Sequence, residues 1–195
     1  MRTTFIVISS ILAIINILPY VRDVIKRKTK PRIVSWFNWS LLTGIASAAS
    51  FSDHQYASAI LTLFGCLETL TIVILGLRYG DRKFEAFDLF CQVGALVGII
   101  LWVVFNSPSI AIIATITIDF IATLPTLKHS WVKPGEETAI TFFLGSLAAV
   151  FTLMAAKDHM ITAIAFPIYL VVTNFLISAI IYGRGNRLVV KAGAK

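Results

Sequence analysis

Apolar residues along this chain gather into seven runs separated by short polar connections. A bilayer core of roughly 30 Å takes about 20 apolar helical residues to cross, with about 17 to 25 tolerated. Seven segments meet that length: Thr3 to Pro19, Ile33 to Phe51, Tyr56 to Leu77, Phe87 to Phe105, Pro108 to Leu124, Ala139 to Ala156 and Ile161 to Tyr182. The pattern predicts an all-α integral membrane protein with seven transmembrane helices. Composition agrees, since 57% of the 195 residues are hydrophobic and 14% charged, against about 25% charged in a soluble domain. No connection is long enough to hold a soluble domain, which excludes extramembrane catalysis and a DNA-reading module.

A formal charge of +7 would suit a nucleic-acid partner, but its distribution gives it another meaning. The connections after segments one, three and five, together with the C-terminal tail, hold 15 of the 17 Lys and Arg; only Arg2 and Lys157 lie on the other side. Cytosolic loops near helix ends are enriched in these residues. The expected topology in the plasma (inner) membrane therefore has the N-terminus outside, the C-terminus in the cytosol and an odd number of crossings. A cleavable signal in the first segment is disfavoured, because no small-x-small site follows Leu18 and the basic stretch after it would resist translocation. Cys66 and Cys91 both fall inside apolar runs, where cysteine behaves as a small hydrophobe, so no disulfide framework, metal site or cofactor is expected.

Internal similarity adds a second layer. Lys30-Pro31 recurs as Lys133-Pro134 and Tyr79-Gly80 as Tyr182-Gly183, both at an offset of 103 residues. Leu18-Pro19 recurs as Leu124-Pro125 at an offset of 106, and Asp53-His54 as Asp158-His159. Their common order matches segments one to three with segments five to seven. An intervening fourth segment restores the same orientation to both halves, so the repeats are parallel. The division is a first three-helix bundle over residues 1–80, a connector over 81–106, a second bundle over 107–183 and a cytosolic tail over 184–195.

This 3+1+3 order, with prolines at the cytosolic ends of segments one and five and a Lys/Arg-rich loop after the first, resembles the SWEET and PQ-loop superfamily. That superfamily includes sugar facilitators, lysosomal amino-acid exporters, nicotinamide riboside transporters and the KDEL receptor. The resemblance implies two bundles rocking around a midplane site. The glutamine of the PQ dipeptide is replaced by Tyr20 and by Thr126, and segments two and six lack the mid-membrane prolines of sugar carriers, which tells against sugar as the solute. The stretch Lys-Thr-Lys-Pro-x-x-Val-Ser-Trp, here Lys28 to Trp36, also resembles bacterial membrane proteins of the same plan.

Polar side chains in hydrocarbon must find partners or line a wet cavity, and so mark candidate sites. Glu68 lies in the middle of segment three and Asp119 in the middle of segment five, in a stripe with Thr115 and Thr123. No Lys, Arg or His lies at their depth; proton coupling or a cationic substrate is the functional reading, and a protonated acid bonded to a neighbouring helix the structural one. Segment two carries a polar face of Trp36, Ser40, Thr43, Ser47 and Ser50, with Asn38 and Trp39 beside it, and segment six carries Thr138, Thr141, Gly145 and Thr152. Trp36 and Trp39 fit either a pocket or the interfacial aromatic belt. SWEET-like carriers place a polar residue from the third helix of each bundle at the central site, which by resemblance assigns that role to Asn174 and to its repeat mate Thr71. The expected substrate-binding set is Asp119, Asn174, Glu68, Thr71, Asn38, Trp39, Trp36 and Thr141. Pro19, Pro125 and Pro167 are the expected gating positions, proline being able to kink a helix.

Enzymatic activity is not expected: the last segment has no Schiff-base lysine, Asp119 is the one deep aspartate, and no Ser-His or His-Glu-x-x-His constellation appears. The expected function is a facilitator or proton-linked carrier for a small polar solute. The competing class is a seven-helix receptor or interaction protein on the same scaffold. Expected partners are the solute, protons if transport is coupled, and the bilayer, whose anionic headgroups suit the loop Lys26 to Arg32. Gly94-x-x-x-Gly98 permits close packing of the connector on the first bundle or, alternatively, a homo-oligomer.

Overall fold

The computed structural model describes residues 2–52, 56–80, 85–104, 108–156 and 161–193. The repeat pair Asp53-His54 and Asp158-His159, with Arg82, Lys83, Lys157 and Lys195, lies outside the described residues, as do the side chains of Ser47, Ser50, Cys91 and Thr115 and the surroundings of Gly94 and Gly98. Secondary structure among the described residues is helical, with no strand. Helices α1 (Arg2–Ile15), α2 (Ile17–Ile25), α3 (Ile33–Ser52), α4 (Tyr56–Tyr79), α5 (Ala86–Val104), α6 (Pro108–Val132), α7 (Ala139–Ala155) and α8 (Ile161–Gly193) are joined by short connections, one containing a 3-10 turn at Pro134–Glu136. Arg2–Ile25 and Ile164–Asn186 are long and apolar enough to cross a membrane.

The helices α1 and α2 form one rod whose hydrogen-bond ladder is interrupted at Asn16, a residue that keeps helical φ and ψ. Pro19 causes the break: it has no N–H to offer the carbonyl of Ile15 four residues earlier. The prolines expected at the ends of segments one and five lie within continuing helix instead, since the first rod runs on to Ile25 and α6 to Val132. Hydropathy follows the apolar stretch, whereas the helix continues as long as its polar extension finds partners. In α2 that extension ends in a Schellman motif, in which Lys28 N–H donates to the Asp23 carbonyl and Arg27 N–H to that of Val24, with Arg27 at φ 57°. In α6 it carries the buried Thr126, His129 and Ser130.

Packing joins α3 to α4, α7 to α8, α2 to α4, α6 to α8, α1 to α7 and α3 to α6, while α5 lies chiefly on α6. The hydrophobic core gathers at the end of the molecule that carries the basic loops, where Tyr20, Val24, Trp36, Ile72, Phe142, Ile177 and Ile181 pack together. Outward faces are apolar instead of polar; Phe64, Ile74, Phe90 and Val172 are each at least 59% exposed, and α1 buries no residue.

Polar contacts tie the basic end. Lys30 N–H donates to the Glu136 carbonyl at 2.7 Å, Lys30 Nζ pairs with Glu136 at 2.6 Å and the Thr29 and Thr138 hydroxyls meet at 2.5 Å. The loops that follow the two matched prolines thus pack on each other. Buried Arg32 pairs with Asp88, which also accepts from the Glu85 N–H at 2.8 Å and so caps the start of α5 while docking it on the foot of α3.

Gly76 and Gly80 let Pro31 approach α4. A β-carbon at Gly80 would lie 2.7 Å from the Gly76 carbonyl oxygen and 2.9 Å from that of Pro31, whereas one at Gly183 meets nothing within 4 Å. The matched Tyr-Gly dipeptides therefore do not share a packing role. Gly80→Ala should lower stability by about 1–3 kcal/mol, and Gly183→Ala should not; thermal unfolding of the two purified variants beside the unaltered protein measures the difference.

Candidate functional site

A cavity of about 410 Å³ lies among the helices, and every helical rod except α5 contributes to its described wall. The first rod supplies Asn16 and Ile17 at the junction of α1 and α2, and α3 supplies Trp36, Trp39, Leu42 and Thr43. Glu68 and Thr69 come from α4, Asp119 and Thr123 from α6, and Thr141 and Phe142 from the first turn of α7. Along α8 the spacing of Phe166, Leu170, Thr173, Asn174 and Ile177 sets one helical face against the cavity.

Six of the eight residues expected at the site share this wall: Asp119, Asn174, Glu68, Trp39, Trp36 and Thr141. Two do not. Thr71 is on the exposed side of α4, its hydroxyl donating back to the Leu67 carbonyl at 2.7 Å. A helix turns about 100° per residue, so Glu68 and Thr71 share an edge without sharing the inner face, and Thr69 takes the inward place. Asn38 is 2% exposed, and its Nδ2 has no hydrogen-bond partner, but it lies outside the cavity wall. Of the expected gating prolines, Pro167 follows the cavity residue Phe166, Pro19 follows the broken turn by three residues, and Pro125 lies on a smaller hollow of about 130 Å³ with Arg32, Lys128 and His129.

The two carboxylates have different surroundings. Tyr169, one residue before Leu170, donates its hydroxyl to Asp119 Oδ2 at 2.6 Å. A search of the sequence for a basic partner of Asp119 passes over a phenol; the available signal was a tyrosine one residue from the inward stripe of the last segment. Glu68 is half-buried with no hydrogen-bond partner among the described residues. Opposite them, Asn174 Nδ2 donates to the Leu170 carbonyl at 3.1 Å, and its Oδ1 lies 3.5 Å from where a β-carbon at Gly145 would stand; Asn16 Nδ2 lies 3.6 Å from the same point. Gly145 therefore admits both amides to the surface of α7. The Thr141 Oγ1 is buried with no hydrogen-bond partner among the described residues.

The floor of the cavity is a plug. The Trp36 ring stands 5.0 Å from Trp39 and 4.7 Å from Tyr20, and Phe142 meets Tyr20 edge-on at 6.2 Å. Trp36 Nε1 donates to the Tyr20 hydroxyl at 3.2 Å, and that hydroxyl donates to Glu137 Oε2 at 2.7 Å. Sequence reasoning missed Glu137, which reads there as one more charge in a loop. Burial, reinforced by neighbouring Glu136, pushes its carboxyl up from 4.5 to about 8, with the Tyr20 hydrogen bond and Arg32 pulling the other way. Glu136 moves oppositely: its partial burial is outweighed by Lys30 and Lys133, which hold it below its ordinary value. His129 Nε2 lies between them, 3.5 Å from Glu136 and 4.0 Å from Glu137.

No protein family, no curated protein and no solved structure matches this chain. The functional reading of the cavity and its plug accordingly rests on their own geometry.

Glu137 gives a pH test of the plug. The folded protein holds this proton more tightly than the unfolded chain, so the stability it contributes is full below 4.5 and is lost as pH rises towards about 8. Glu137→Gln keeps an oxygen to accept from Tyr20 and removes the ionisation. Thermal unfolding at about pH 5 and about pH 8 should show a smaller drop in Tm for the variant than for the unaltered protein.

Proposed function

We propose that this chain is a carrier for a small polar solute, crossing the membrane seven times as two parallel three-helix bundles joined by α5 and working by alternating access. The observation that carries the reading is the cavity, which draws its wall from all six rods outside the connector. A carrier of the SWEET and PQ-loop kind needs its solute site between two halves, as the resemblance implies, and membrane carriers built on repeats place it there.

Packing supports the duplication. Exchanging the first three rods for the last three turns the α3 contact with α4 into that of α7 with α8, α2 with α4 into α6 with α8, and α1 with α7 into α6 with α3. Apolar outer faces support immersion in lipid, since exposed hydrophobic surface of this extent is avoided in water. On the positive-inside rule the basic end faces the cytosol, and the plug of Trp36, Tyr20 and Phe142 is then the cytosolic gate, closed in this conformation. Opening it must break the Tyr20 bond to Glu137 or move both residues together. Asp119 and Glu68 are the groups through which protons would couple to the solute.

The test is uptake by the purified protein in proteoliposomes, screened over sugars, amino acids, nucleosides, vitamins and amines, with and without a pH gradient. At least one solute should enter in a protein-dependent way, and Asp119→Asn should abolish the response to the gradient. Glu68→Gln reports whether the second acid shares the coupling. Binding without entry for any solute would favour the receptor reading; gradient-independent flux unaltered in both variants would make the carboxyls structural and leave a passive facilitator.

A further inference from the structure

Every charged group in the described wall of the cavity has one sign. Its described wall holds two carboxyl groups, Asp119 and Glu68, and no Lys, Arg or His. Its aromatic members add to this, because Trp and Phe present the negative face of a quadrupole to whatever sits over the ring and attract cations by doing so. Trp39 and Trp36 stand edge to face at 87°, so an occupant that meets the face of one meets the flank of the other.

Hydrogen-bonding capacity leans the same way. Asn174 commits an amide N–H to the Leu170 carbonyl and keeps its oxygen beside the cavity. Tyr169 commits its proton to Asp119, whose remaining carboxylate oxygen is left to accept. Glu68 has no partner among the described residues. Thr141 adds a hydroxyl to the wall that has no hydrogen-bond partner among the described residues.

Resting on the carrier reading above, we infer that the solute is a small organic ammonium ion, a protonated amine on an apolar body, held by Asp119 and Glu68 with its hydrocarbon part against Trp36, Trp39 and Phe166. A neutral solute would leave both carboxylates without a counter-charge in a largely apolar chamber, and an anion would be repelled by acids and ring faces alike. A proton and an ammonium ion satisfy the same carboxylates, so each excludes the other, and exchange of one for the other needs no further site. The volume of about 410 Å³ holds a body the size of an aromatic amine together with a few waters.

The probes are phenethylammonium, 2-phenylethanol and phenylacetate, which share one body and carry positive, no and negative charge. Each is titrated into the purified full-length protein, read by the fluorescence of the tryptophans on the cavity wall and by thermal stabilisation, and then tested for uptake in proteoliposomes; 1,4-butanediammonium is a second cation with a different body. Phenethylammonium should bind at least about tenfold more tightly than the alcohol, a difference within reach of a cation over aromatic faces and beside carboxylates, and phenylacetate should not bind. Asp119→Asn and Glu68→Gln should each weaken the cation by about tenfold or more, while thermal unfolding of the unliganded variants close to that of the unaltered protein certifies a folded cavity. Equal affinity for cation and alcohol, or no binding of either cation at millimolar concentration, overturns the inference. Uptake of a sugar or nucleoside with no cation binding would sink the ammonium assignment and keep the carrier, whereas cation binding without uptake would keep the site and sink the carrier.

Discussion

A carboxyl group closed off from solvent beneath two loops organises one whole end of this molecule. Glu137 is buried, and a buried acid is tolerated when its oxygens meet donors and its charge is suppressed or shared. The Tyr20 hydroxyl is that donor, and Trp36 in turn donates to Tyr20. Two consecutive helices, α2 and α3, and the distant loop before α7 are thereby committed to one place. The hydrophobic core forms around these rings, the loops holding Lys30 and Glu136 pack over them, and the cavity ends where they begin. Dissolving that chain of hydrogen bonds would take from Glu137 the donor that its Oε2 now has.

Layered polarity follows from the same constraint. At the basic end charges are paired in contact, with Arg32 on Asp88, Lys30 on Glu136 and Lys128 on Glu85. Deeper in the helices the pairings are between hydroxyls and carbonyls: Ser9 with Thr152 and the Ala148 carbonyl, Ser146 with the Val171 carbonyl, Thr43 with that of Trp39. Such bonds satisfy polar atoms without asking a full charge to leave water. Only in the cavity do carboxyl groups occur without cationic neighbours in the described wall. The exception to the layering is thus the place where a ligand is expected.

Much of the helical plan was legible in the hydrophobic pattern. Seven runs correspond to seven rods because a helix needs only its own backbone bonds and an apolar environment, both local properties. Candidate site residues were legible where a charged side chain interrupts an apolar run, and on that ground Asp119 and Glu68 stand out in the sequence, whereas Asn174 was singled out through the resemblance. The basis is weaker for Thr71, singled out by repeat position. Matched positions in two repeats share a helix but not a rotational setting to the residue, and Thr71 turns outward while Thr69 turns in. Gly80 and Gly183 differ for the same reason, one crowded by Pro31 and the other open.

The sequence by itself determined the helical character, the number of apolar runs, the lopsided placement of basic residues and the position of the two acids within apolar runs, because each is written in composition and spacing along one segment. Tertiary structure decided which partners those residues meet. That Asp119 faces Tyr169, that Glu137 disappears beneath Tyr20, that Asn16 and Asn174 converge on Gly145 and that Arg32 pins α5 through Asp88 all depend on contacts between separate helices and loops of the chain. No periodicity encodes such pairs: helices are set in azimuth and height by the sum of many side-chain contacts, and a rotation of one residue exchanges an inner wall for an outer one.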